Sequence, residues 1–234
     1  EISYQYCSHS TIKTFDFTTI IMSEDGTHPS NNNNAPSYVP LAFFINGVKS
    51  FFSSLLSALG LSSKSGSILL LGLDNSGKTT LLHRLRTGSI LAHAPTERPY
   101  VESFRCEGVK FSGWDLGGHE AVRHIWEDYL CEASAVVFLI DITDETRFEE
   151  ARNELDALVA EGVIAGVPLA ILINKCDLMT SWTALEDVEQ RIADEIDLEE
   201  LKRMHGEDKI KMWKMSVLKG EGYQEAFRWI ASFL

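Results

Sequence analysis

From Ser67 onward, short apolar runs alternate with longer stretches of helical period. The runs at 68–71, 136–140, 169–173 and 212–215 are too short for helices and are bounded by polar or turn-forming residues, so they predict strands. The stretches at 78–87, 145–160, 184–204 and 224–233 predict helices. Strands that are apolar along their whole length need cover on both faces. Interleaved with helices, they predict an α/β fold with a mostly parallel sheet. Residues 101–106 and 109–114 flank Glu107-Gly108 and read as a hairpin, which would give that sheet one antiparallel edge strand.

Residues 41–61 follow a different pattern. On a helix of about 100° per residue, Leu41, Phe44, Ile45, Val48, Phe51, Phe52, Leu55, Leu56 and Leu59 fall within an arc of roughly 140°. Asn46, Ser50, Ser53, Ser54 and Ser57 gather opposite, Phe43 alone breaks the division, and Gly60 supplies a stop. The serine face and Lys49 argue against a membrane-spanning helix, which should be apolar all round. Packing on the domain's own core is one reading. Interfacial membrane binding through the Leu41–Leu59 face is the other, and it is favoured because serines rather than charges line the polar side. Residues 1–40, rich in Ser, Thr, Asn and Pro with the run Asn31–Asn34, read as a flexible or non-native tail. The expected organisation is therefore a tail at 1–40, an amphipathic helix at 41–61 and a catalytic domain at 67–234.

Composition narrows the partners. The 234 residues leave room for one full α/β domain plus an extra segment. A formal net charge of -13 argues against nucleic acid, whose phosphates need a basic face, and leaves apolar insertion as the route to any membrane. Cys7, Cys106, Cys131 and Cys176 form no CxxC and read as free thiols of a reducing compartment.

Gly72-Leu73-Asp74-Asn75-Ser76-Gly77-Lys78-Thr79 matches GxxxxGK[ST] between a predicted strand and a predicted helix. Glycines there let backbone N–H groups turn inward and cradle a phosphate at a helix N-terminus. Asp74, Asn75, Ser76, Gly77, Lys78, Thr79 and Thr80 are the candidate phosphate-binding residues, with Lys78 on the β- and γ-oxygens and Thr79 on Mg²⁺. Asp115 and Gly118 follow the second hairpin strand. Asp115 is placed to hold Mg²⁺, and the Gly118 N–H to meet a γ-phosphate. Pro95-Thr96 offers a second hydroxyl ligand for Mg²⁺. His119 directly follows the γ-phosphate glycine, where a side chain can orient the attacking water. The candidate catalytic residues are His119, Lys78 and Thr96.

Asn174-Lys175-Cys176-Asp177 ends the third apolar run. The Asp177 carboxylate can accept from guanine N1–H and N2–H₂. Adenine offers neither and would leave the carboxylate unpaired. Asn174 can tie this loop to the phosphate loop, the Lys175 stem can lie across the base, and Ser216, Val217 and Leu218 can offer backbone N–H groups to guanine O6.

With these motifs in this order, residues 72–82, Pro95-Thr96, 115–120, 174–177 and 216–223 resemble the small GTPases, and among them the Arf/Sar branch. The chain is most similar to the Sar type, which starts assembly of coat protein complex II on the endoplasmic reticulum. Three features carry this: His119 where many relatives have glutamine, Ser216-Val217-Leu218-Lys219 followed by Gly222-Tyr223, and Phe227-Arg228-Trp229. The sequence departs from that type at Glu97-Arg98, in the tail through Pro40, and in the loosely matching stretch 178–211.

The resemblance implies a P-loop small GTPase fold preceded by an amphipathic helix, binding GTP or GDP with Mg²⁺ and hydrolysing GTP to GDP and phosphate. It also implies a switch that recruits coat proteins for budding toward the Golgi. The implied partners are a membrane-bound exchange factor and coat subunits including a GTPase activator. The implied location is the cytoplasmic face of the endoplasmic reticulum, or the Golgi, in exchange with cytosol. Met22 is a candidate initiator followed by Ser23 rather than the glycine of myristoylated relatives, so a bare helix is expected. Two alternatives remain open: an Arf-like GTPase at another membrane, and a nucleotide-locked scaffold with little turnover. Intact Lys78, Thr79, Thr96, Asp115 and His119 count against the second.

Asp177→Asn should lower GTP affinity and shift preference toward xanthine nucleotides, because an amide donates where the carboxylate only accepts. Competition binding with GTP, XTP and ATP checks this. Wild-type protein that took ATP as well as GTP would overturn the base-reading assignment.

Overall fold

Ile68 and Leu70 point to one side of a strand while Leu69 and Leu71 point to the other, and all four are buried. From Ile68 onward that strand, β1 (Ser65–Gly72), has no solvent face, which is why 68–71 read as an unbroken apolar run. The computed structural model describes residues 64–91, 96, 98–160, 164–179 and 181–234, all within the unit Ser63–Leu234. The tail, the 41–61 helix, Pro95 and Glu97 lie outside the described residues.

After β1 come α1 (Lys78–Thr87), β2 (Tyr100–Cys106), β3 (Val109–Asp115) and the short helices α2 (Glu120–Arg123) and α3 (Trp126–Leu130). There follow β4 (Ala135–Asp141), α4 (Phe148–Ala160), β5 (Leu169–Asn174), α5 (Trp182–Glu195), α6 (Leu198–His205), β6 (Ile210–Lys214) and α7 (Tyr223–Ala231). The sheet order is β2-β3-β1-β4-β5-β6, and every pairing is parallel except β2 with β3. This is the expected mostly parallel sheet with one antiparallel edge strand. One face packs Leu69, Leu71, Val136 and Phe138 against Phe148, Leu155, Ile192 and Leu201 of α4, α5 and α6. The other packs Ile68, Leu70 and Val137 against Leu81 and Leu82 of α1 and Phe227 and Ile230 of α7.

Two departures from the sequence reading have local causes. The single helix expected at 184–204 is two, because Asp197 turns left-handed at φ 50°. The apolar stripe changes phase there: Leu198 comes only two residues after Ile196, and the break lets Ile192, Ile196, Leu198 and Leu201 all reach the core. The helix expected from Glu145 begins with a tight turn, Glu145–Arg147, before α4 proper. The short helices α2 and α3, at 120–130, had no lasting period to announce them. Cys106, Cys131 and Cys176 form no disulfide among the described residues.

The hairpin is fastened to α7 by three rings. Phe104, Phe111 and Phe227 have centroids 5.5, 5.7 and 5.6 Å apart, two of the three contacts edge-on. Phe111 and Phe227 are completely buried. Phe227→Ala should cost about 3–5 kcal/mol by leaving a cavity between α7 and the hairpin. Urea unfolding would show the loss as a lowered midpoint, and a midpoint unchanged from wild type would refute this role for the ring cluster.

Candidate active site

β1 ends at Gly72 and the chain must turn at once into α1, whose N-terminal N–H groups have no partner within the helix. The turn uses left-handed backbone at Asn75 (φ 60°) and Gly77 (φ 102°). Gly77 has no room for a side chain: a Cβ there would lie 2.3 Å from Asn174 Nδ2. Ser76 Oγ donates to the Leu73 carbonyl at 2.8 Å, which closes the loop on itself. Lys78 is only 5% exposed, and its Nζ donates to the carbonyls of Gly72 and Leu73, both at 2.8 Å. Burial pushes this ammonium down to about 8 from its ordinary 10.5. A buried cation whose hydrogen bonds go to two carbonyls, with the Asp115 and Asp74 carboxylates only partly offsetting its burial, is prepared for an anion at this helix N-terminus.

Thr79, Thr96 and Asp115 meet at one point. Thr79 Oγ1 donates to Asp115 Oδ2 at 2.6 Å, Thr96 Oγ1 reaches the same oxygen at 3.0 Å, and the two hydroxyls are 2.7 Å apart. Asp115 is fully buried. Two hydroxyls and a carboxylate are hard oxygen donors, and so few protein ligands suit Mg²⁺, which keeps waters and binds substrate phosphate oxygens. The donor set fits, and Mg²⁺ held by these three residues would neutralise charge on the β- and γ-phosphates.

Gly118 lies against the phosphate loop so closely that a Cβ would sit 2.4 Å from the Leu73 carbonyl carbon. Its carbonyl accepts from Arg123 Nε at 2.8 Å, and the Gly117 carbonyl accepts from Trp126 Nε1 at 3.0 Å. His119 is exposed and caps α2, its Nδ1 accepting from the Ala121 N–H at 3.4 Å. With Nδ1 accepting, the neutral ring carries its proton on Nε2.

Asn174 is the hinge of the base site. Its Nδ2 donates to the Ser76 carbonyl at 2.8 Å and its Oδ1 accepts from the Val217 N–H at 3.1 Å. Lys175 stands in the left-handed region (φ 67°) with its ammonium on Asp141 Oδ2 at 2.6 Å, which lays the stem beside the loop. Ser216 Oγ donates to Asp177 Oδ1 and so orients the carboxylate.

A cleft of about 600 Å³ is lined by Asp74, Asn75, Gly77, Lys78, Thr79, Thr80, Thr96, Gly118, His119, Asn174, Lys175, Asp177, Val217 and Leu218. Most of the residues expected from sequence thus share one cavity. Three do not line it: Ser76, Ser216 and Asp115. Ser76 and Ser216 serve as braces, and Asp115 sits behind the threonines. The backbone role expected of Ser216 and Val217 also needs correction. The Ser216 N–H donates to the Glu221 carbonyl and the Val217 N–H to Asn174, which leaves Leu218 of that trio.

Several supporting residues went unread in the sequence. Arg84 braces the base loop by donating to the carbonyls of Val217, Leu218 and Lys219 at 3.0, 3.2 and 3.3 Å. Arg147 holds the Asp74 carboxylate at 2.8 Å and draws it below the ordinary carboxylate range. Leu178 adds an apolar wall to the cleft. The arginines lie far along the chain from their partners, so no spacing rule could find them.

Comparison with known proteins agrees with this geometry. A family model described as the ADP-ribosylation factor family matches residues 52–234. The small COPII coat GTPase SAR1 of Giardia intestinalis is 34% identical over 195 residues, which span 80% of this chain and all of that protein. ADP-ribosylation factor J of Dictyostelium discoideum is 31% identical over 194 residues, 83% of this chain and 98% of that one. Among solved structures, the Arl6 BBS3 small GTPase of Trypanosoma brucei with bound nucleotide analogue GppNp superposes with a TM-score of 0.62 at 28% identity. The match covers 72% of this chain and 96% of that one.

Nucleotide affinity should depend on pH through Lys78. The depressed value means the empty loop begins to lose its charge above about 8. A bound triphosphate favours the ammonium, so binding must then take up a proton. GTP affinity should be level from pH 7 to 8 and fall toward tenfold per unit above it. Calorimetry at pH 9 in buffers of different ionisation heat should show proton uptake, and its absence would refute the assignment.

Proposed function

The chain belongs to the ADP-ribosylation factor family of small GTPases, and from that premise we propose that it is a Sar-type switch recruiting coat protein complex II to the endoplasmic reticulum. It is a GTP-hydrolysing enzyme and takes GTP or GDP with Mg²⁺. The observation that carries the switch reading is the meeting of Thr79, Thr96 and Asp115 on one carboxylate oxygen. Thr96 precedes β2 and Asp115 closes β3, on the two sides of the β2–β3 hairpin, so loss of the γ-phosphate has two segments to release.

In this reading Lys78 spreads charge from the γ- and β-phosphates as the bond between them breaks, and Gly118 offers its N–H to the γ-phosphate. His119 orients the water whose oxygen attacks phosphorus, and GDP leaves with the bridging oxygen. Asp177 selects guanine. The hairpin couples site to surface. Because side chains alternate along β3, a shift of its register against β1 keeps the core face buried only in steps of two residues. We take such a shift as the route by which GTP makes the 41–61 segment available to a bilayer, a route that follows the family resemblance.

His119 and the likeness to SAR1 favour the Sar type, with a membrane-bound exchange factor and a coat subunit as GTPase activator. ADP-ribosylation factor J at 31% identity favours the second reading, an Arf-like GTPase of another membrane.

GTP-loaded protein should bind neutral liposomes several-fold more than GDP-loaded protein, with little loss in high salt because insertion is apolar. Phe44→Asp with Phe52→Asp should abolish binding and leave GTP affinity unchanged. Addition of the coat-type activator should speed single-turnover hydrolysis. Equal liposome binding in both nucleotide states would refute the coupling of helix to nucleotide, and an activator without effect would favour the Arf-like reading.

A further inference from the structure

From Asp74 at the edge of the cleft, four charged side chains run behind it and join the two loops that face the phosphates. Asp74 of the phosphate loop accepts from Arg147 Nη2 at 2.8 Å. Arg147 also donates through Nε to Glu150 Oε2 at 2.6 Å and through Nη2 to Glu150 Oε1 at 3.1 Å. The same Oε1 accepts from Arg123 Nη2 at 2.5 Å. Arg123, 7% exposed, then donates through Nε to the Gly118 carbonyl at 2.8 Å. A continuous chain of charge-assisted bonds thus runs from Asp74 to Gly118, with Glu150 of α4 as its shared centre.

We propose that Arg147 is a positioning residue for the phosphate loop, and that by sharing Glu150 with Arg123 it couples that loop to Gly118 and slows the release of bound nucleotide. The inference rests on the nucleotide site described above.

Three observations support it. First, the phosphate loop contains left-handed backbone at Asn75, a non-glycine residue, and such a turn holds its shape only under outside restraint. Arg147 supplies that restraint at the neighbouring residue. Second, the fork matters. One guanidinium bridges two carboxylates on different elements, which a lysine ammonium on a flexible stem would do less well. Third, the two arginines are not equivalent. Arg123 has a further anchor in Glu154 Oε1 at 2.7 Å, so it stays seated if Glu150 is lost. Arg147 is the link whose removal opens the chain without unseating Gly118.

The relay persists through the working pH range. Hydrogen bonding from Arg147, with Arg123 beside it, pulls Glu150 down to about 2. The depressed value means its contribution is complete above the ordinary carboxylate range and is lost only as pH falls through about 2.

Stopped-flow release of a fluorescent GDP analogue tests this on the full chain. Arg147→Ala should speed GDP release about tenfold, and Arg147→Lys by an intermediate factor, because a loosened loop loses oriented contacts to the phosphates. Single-turnover cleavage of GTP already bound should change by a smaller factor than release does, since Arg147 does not touch the reacting atoms. Glu150→Gln should also speed release, and the double variant should be no faster than Arg147→Ala alone, because both break one chain. Wild-type release from Arg147→Ala, or additive effects in the double variant, would overturn the relay. If the alanine variant unfolds, the lysine variant decides: intermediate release supports the relay and wild-type release overturns it. Failure of wild-type protein to bind any guanine nucleotide would overturn the site itself, a result distinct from all of these.

Discussion

A lysine ammonium taken out of water is costly unless something nearby carries negative charge, and Lys78 meets this constraint with two peptide carbonyls at hydrogen-bond distance and the Asp115 and Asp74 carboxylates around them. They offset the cost only in part, as the depressed affinity of Lys78 for its proton shows. The architecture around it follows from keeping this position ready and incompletely satisfied. β1 must end under the loop, so it is a central strand, buried on both faces. α1 must begin at Lys78, so its first N–H groups face the same space. The residue before it must turn left-handed with no side chain, because Asn174 occupies the space a Cβ would need.

Asn174 serves a comparable purpose at the other end of the cleft. One primary amide donates to the phosphate loop and accepts from the loop after β6, so three segments distant in sequence share a single planar group. Arg84, reaching from α1 to three successive carbonyls, ties the same two ends from the outside. The base site and the phosphate site are therefore fixed relative to each other by helix, sheet and two polar clamps. Thr96 meets that frame through hydroxyls on one carboxylate, and Gly118 through a relay of ion pairs.

What could be read from the sequence followed the range of the interactions involved. Strands β1, β4 and β5 announced themselves because burial on two faces forces continuous apolar runs. The phosphate loop and the Asn174–Asp177 loop were legible because their chemistry lies within a few consecutive residues. The break at Asp197 was not foreseen, since a two-residue phase change in a stripe is visible only once the core it must reach is known. Ser216 and Val217 were placed in the right loop, but their N–H groups were given the wrong partners, because local motifs do not reveal which donors the fold has already used. Arg123 and Arg147 could not be found at all, as their meaning lies in carboxylates brought close by α4.

Gly118 shows how small the moving parts of such a device can be. A methyl group placed on it would overlap the backbone of Leu73 and Asp74. The space between the two loops is thus thinner than a single carbon atom's contact radius, and the hydrogen atom on Gly118 acts as the spacer. A mechanism with that clearance has no coarse adjustment. An alanine at this position would act as a wedge driven against the backbone of the phosphate loop.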